Sequence, residues 1–189
     1  MLTFKNISLL VSSLLLVCVS LLAQANANTQ KADYIYNFIQ YVEWSGVQGN
    51  SEVIIGVIGN TEVYSYLEQK ANSNEITRPV KVRSFDNVND LLASSSALCH
   101  ILFISENQSI LQANLEKLAS KSILLVGEKV GFTQQGGLIN FVETRTGALK
   151  FEINQSKMIN YGFKVSPQLL RIAILPDTSS PNVANGSKP

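Results

Sequence analysis

Histidine is nearly missing: the 189 residues hold one His, two Cys and one Trp. A zinc centre built on several imidazoles is therefore excluded, and no Cys or carboxylate cluster has ligand spacing around His100. Charge of either sign is equally scarce in excess, with 15 Lys plus Arg against 14 Asp plus Glu. No basic run is interleaved with aromatics, so neither a nucleic-acid groove nor an anionic membrane surface has a basis in the sequence. The chain also lacks a G-x-S-x-G elbow and a Walker loop. Gly56-Val57-Ile58-Gly59 precedes a helix-like segment but lacks the third glycine of a dinucleotide fingerprint, and no cofactor is expected.

Long apolar runs are confined to the start. Lys5 supplies a short basic region, Ile7 to Leu22 an apolar stretch, and Ala23-Gln24-Ala25 or Ala25-Asn26-Ala27 a small-residue exit. This is the layout of a secretory signal peptide over residues 1–27, at the short end for a membrane anchor. It predicts a periplasmic chain starting near Asn26 or Asn28, with no stable membrane insertion. Removing that segment takes one Lys and no acid, leaving 14 basic against 14 acidic residues. It also removes Cys18, so Cys99 has no partner for an internal disulfide, and burial is its expected fate.

What remains has the length of one domain, 28–175, followed by a Pro-, Ser-, Asn- and Gly-rich tail, 176–189, expected to be disordered. Ile35, Phe38, Ile39 and Val42 fall at helical spacing on one face. Val53 to Ile58 is an apolar run of strand length, followed by a turn and a helix through about Lys70 with Thr61 as its expected cap. Val80 to Phe85 alternates as a strand, and Asp86 is expected to cap a short helix. His100 to Ile104 and Ile123 to Val126 are further strands, separated by a helix around Leu111 to Ala119. Leu138 to Glu143 and Ala148 to Ile153 are spaced as an antiparallel hairpin. A helical region from Gln155 to Ile174 is interrupted at Tyr161-Gly162 and Ser166-Pro167. The expected class is α/β, with a central, largely parallel sheet flanked by helices, a C-terminal β-hairpin and a helical region.

Three constellations could carry chemistry. Cys99 and His100 are adjacent, but neighbours on a strand point to opposite faces and do not form a thiol dyad. Glu143 and Glu152 lie on the two hairpin strands and could approach as paired carboxylates, although solvated strands carry such residues routinely. No catalytic residue is assigned, and the expectation is a protein that is not an enzyme. The third constellation is aromatic. Tyr34, Phe38 and Tyr41 form a stripe beside the aliphatic one, Trp44 sits at the helix end, and Phe141 and Phe151 occupy the hairpin. Surface aromatics mark interfaces, so Tyr34, Tyr41, Trp44, Phe141, Phe151 and Arg171 are the candidate partner-binding residues. A second reading is a small-molecule-binding sensor with a pocket at the carboxyl ends of the parallel strands, near Gly59 and Ser105.

Lys31-Ala32-Asp33-Tyr34-Ile35-Tyr36-Asn37-Phe38 with Tyr41-Val42-Glu43-Trp44, Cys99 to Ile104, Gly136 to Phe141, Phe151 to Asn154 and Leu169-Leu170-Arg171 follow one another over nearly the whole mature chain. In these blocks the sequence resembles the YfiR-like family. The resemblance implies a periplasmic α/β domain, often dimeric. It also implies a partner, the periplasmic part of an inner-membrane diguanylate cyclase, which the domain would hold inactive, lowering cyclic-di-GMP and biofilm formation. Redox-responsive members pair further cysteines that this chain lacks, so disulfide control is not carried over.

Overall fold

The computed structural model describes residues 26–43, 51–73, 75–93 and 99–175. Residues 1–25 of the expected signal peptide, Trp44, and the tail from 176 lie outside the described residues. Residues 26–41 are helical (α1) and lead into β1 (Val42–Glu43). Next come β2 (Val53–Ile58), α2 (Thr61–Ser73), β3 (Val80–Phe85), α3 (Val88–Ala93), β4 (Ile101–Ile104), α4 (Gln112–Ala119) and β5 (Leu124–Gly127). The hairpin β6 (Ile139–Glu143) and β7 (Leu149–Ile153) follows, and then α5 (Gln155–Asn160), β8 (Lys164–Val165) and α6 (Pro167–Ile172).

Strands pair in the order β3-β2-β4-β5-β6-β7, parallel throughout except for β7, which runs antiparallel to β6. The α/β class and the hairpin at the C-terminal end of the sheet are thus as expected. Burial explains the order. Every residue of β2, β4 and β5 is buried, which is why these segments read as unbroken apolar runs rather than alternations. β3 is only partly buried and carries Lys81, bonded to Glu52 at 2.9 Å, as suits an edge strand.

Local chemistry shifts two helix starts by one residue. Asn60 Oδ1 accepts from the N–H groups of Glu62 (3.1 Å) and Val63 (3.0 Å), so Asn60 rather than Thr61 caps α2. Asn87 Oδ1 accepts from Asn89 (2.8 Å) and Asp90 (3.1 Å), so Asn87 takes the role expected of Asp86. The C-terminal helical region breaks where expected. Gly162 adopts φ +80, and Ser166 accepts from Leu169 N–H with Pro167 at the first turn of α6. Between the two helices β8 pairs with β1, a two-residue ladder with no sequence signal, and Ser166 N–H donates to Tyr41 C=O at 2.9 Å. This ties the end of α1 to the C-terminal region.

Candidate functional site

Alternation along β6 and β7 puts Ile139, Phe141, Phe151 and Ile153 on one sheet face, with Phe141 directly opposite Phe151. α1 lies on that face. Tyr34 approaches the Phe151 ring at 5.1 Å and the Phe141 ring at 6.1 Å, and Phe38 approaches them at 5.4 and 6.4 Å. Phe103 of β4 extends the cluster to 6.2 Å from Phe141. These centroid separations fall within the range of favourable ring pairs. The three predicted residues Tyr34, Phe141 and Phe151 are therefore brought together, but as an internal seam.

The reading of the hairpin phenylalanines as surface anchors is corrected here. Phe141 is 3 % exposed and Phe151 1 %, because α1 covers the face that a bare hairpin would show to solvent. Tyr34 and Tyr41 are half-buried and pack against the core, and Arg171 is exposed in the last turn of α6. Arg171 and the open portions of Tyr34 and Tyr41 are the candidates left at the described surface. Sequence reasoning missed the aliphatic part of that surface. Leu111, Val130, Ile159, Ile172, Ile174 and Leu175 are all exposed. The run Ile172-Ala173-Ile174-Leu175 just before Pro176 was the available signal.

Polar contacts fix α1 in place at its outer turns. Asn28 is buried and donates from Nδ2 to Glu62 Oε2 at 2.6 Å. Lys31 forms an ion pair with Glu128, both side chains largely shielded from solvent. Lys70 of α2 bridges Asp33 at 2.9 Å and Glu75 at 3.2 Å and lies over the Tyr36 ring. The hydrogen bond that Lys70 donates to Asp33, foremost, raises the Lys70 pKa, and burial raises that of Tyr36.

The carboxyl ends of β2 and β4 flank the point where the strand order reverses, the usual ligand crevice of an open α/β sheet. Here the chain fills it. Gly59 has φ +84, and a Cβ at that position would meet Gln108 Cγ at 2.7 Å and Asn107 Oδ1 at 3.0 Å. The neighbouring depression, lined by Ser105, Gln108, Lys129, Phe132 and Gln135, has a volume of ≈ 10 Å³. That is about the space of one water, far below the ~300 Å³ or more of small-molecule pockets.

Cys99 and His100 occupy the positions expected of them. Cys99 is a buried free cysteine whose Sγ would lie 3.0 Å from a Cβ on Gly56, and burial pushes its pKa up to about 12. His100 N–H donates to Ile54 C=O at 2.7 Å, while its Nδ1 accepts from Ile54 N–H at 2.9 Å. Burial, then the Arg78 charge, lowers the His100 pKa, keeping the ring a neutral acceptor that lengthens the β2–β4 ladder. Glu143 and Glu152 do not form a pair. Glu152 is opposite Asn140 and Glu143 opposite Leu149, so the two carboxylates fall on opposite faces of the hairpin. Glu152 instead accepts from Thr133 Oγ1 at 3.1 Å. Among the described residues no three His, Cys, Asp or Glu side chains are grouped to hold a metal, and no helix is long and apolar enough to cross a membrane.

The architecture is that of an open α/β domain closed at one end by an antiparallel strand and covered on its aromatic face by α1. The chain belongs to the YfiR/HmsC-like family, whose model matches residues 28–174. A search of curated proteins found no significant match.

Proposed function

We propose that this chain is a periplasmic regulatory protein that represses an inner-membrane diguanylate cyclase by binding its periplasmic part, thereby lowering cyclic-di-GMP. Family membership over residues 28–174 carries this reading. A repressor of this kind needs no reaction of its own. It needs a surface that favours the inactive cyclase over the active one, because equal affinity for both would shift nothing. Arg171, Tyr41, Tyr34 and Trp44 are the residues proposed for that surface, and Phe141 and Phe151 support it from beneath through the seam with α1. The filled crevice at Gly59 argues against the small-molecule reading. The test is co-purification from detergent-solubilised membranes. A diguanylate cyclase recovered with the wild-type chain and lost with Arg171→Ala or Trp44→Ala supports the proposal, and recovery of no membrane cyclase refutes it.

A further inference from the structure

We infer that the back of the β6–β7 hairpin, on the sheet face away from α1, holds a calcium site formed by Asn140, Glu152, Thr133 and Gln134. The inference is independent of the repressor reading. Gly127 of β5, Asn140 of β6 and Glu152 of β7 stand in register and form one row across the sheet. By alternation this row shares the face opposite to that of Phe141 and Phe151. The loop 131–137 closes over it. The Phe132 ring fills the space that a Cβ at Gly127 would need, with its nearest atom 2.6 Å from that position. The next residue, Thr133, is buried and reaches Glu152.

The polar groups enclosed there have too few protons. Asn140 is 1 % exposed, and its Oδ1 accepts no hydrogen bond. Directly opposite residues of an antiparallel pair place their Cβ atoms about 5 Å apart, so the Asn140 amide and the Glu152 carboxylate are side by side. Thr133 Oγ1 lies 3.1 Å from Glu152 Oε2 and 3.2 Å from Gln134 Oε1, with one proton to give to both. Among the described residues no Lys or Arg lies within ion-pair distance of the half-buried Glu152. A carboxylate, a buried amide oxygen and two further oxygens thus form a set dominated by acceptors, and such a set is satisfied by a cation. Oxygen donors select calcium or magnesium over zinc. One carboxylate among neutral oxygens on strands and a loop suits calcium, which takes irregular shells, better than magnesium, which demands an octahedron. The single charge sets the affinity near that of extracellular calcium modules, about 0.1–1 mM.

Thermal melts of the metal-stripped mature chain, titrated with calcium chloride at constant ionic strength, test this. Calcium up to about 10 mM should raise the melting temperature saturably, and magnesium should raise it less. Glu152→Gln should abolish the shift, and Gln134→Ala, at an exposed position, should weaken binding severalfold. Asn140→Asp gives the site a second carboxylate. It should melt below wild type without metal and bind calcium about tenfold more tightly. If the Asn140 amide is instead turned so that its N–H donates to Glu152, Asn140→Asp is unstable with or without calcium, and that result overturns the inference. A wild-type melt unmoved by calcium overturns it too, as does a shift that survives in Glu152→Gln or an equal response to magnesium, which marks a general effect of charge.

Discussion

Two adjacent residues show how a strand gives neighbours opposite chemical fates. Cys99 is buried against Gly56, and burial pushes its thiol pKa up from the ordinary value of 9.0 to about 12. A thiol so placed is inert, because the thiolate is the nucleophile. Native protein should therefore react slowly with a thiol reagent at neutral pH and rapidly once unfolded; fast native labelling would contradict the buried site. His100 has the opposite linkage. Its pKa is lowered on folding, so the unfolded chain binds the proton more readily, and the stability it contributes is present above 6.5 and lost as pH falls below that value. His100→Gln keeps a hydrogen-bond acceptor without a titrating ring. Thermal melts of wild type and His100→Gln should agree in shape near neutrality and diverge on acidification, with wild type losing more. His100→Ala, which leaves Ile54 N–H unpaired, should cost about 1–3 kcal/mol by denaturant unfolding.

Elements are held together here by contacts between segments far apart in sequence, and the seam of α1 on the hairpin is one of them. Phe151 touches both Tyr34 and Phe38, so Phe151→Ala should destabilise the domain by about 3–5 kcal/mol in a chemical melt. Arg171→Ala, at an exposed position, should stay within about 0.5 kcal/mol of wild type. The seam also marks the boundary of what the sequence made legible. β2, β4 and β5 were readable because they are buried on both faces and have a composition that only a parallel sheet centre requires. The hairpin aromatics were misassigned because a strand's period states which residues share a face, not whether a remote helix covers it. Asn60 stands one residue before another cap former, Thr61, and Asn87 one residue after another, Asp86, and backbone direction rather than residue type decides which one caps. β1 and β8, at two residues each, have no period to detect.

Scaled up to the whole molecule, burial of the seam changes how a loss of function must be interpreted. A defect in Phe141 or Phe151 would remove the proposed repression by lowering the amount of folded protein, since a few kcal/mol is a large share of a domain's stability. A defect in Arg171, which is exposed, would act at the proposed surface with the fold intact, and Trp44 is proposed for the same surface. Deleting the gene should raise cyclic-di-GMP and surface attachment where a partner cyclase is present, and should have no effect where that cyclase is also deleted. Complementation with Arg171→Ala or Trp44→Ala should fail while periplasmic protein levels match wild type. Complementation with Phe151→Leu, a smaller lesion than Phe151→Ala, should fail only in proportion to the protein lost, and should recover when expression is raised. Partner anchors commonly cost more than about 2 kcal/mol on truncation, roughly a thirtyfold loss of affinity, which modest overexpression does not restore. Dependence on dose thus separates the two classes of variant. Wild-type cyclic-di-GMP after deletion, in a strain that expresses both proteins, would count against repression.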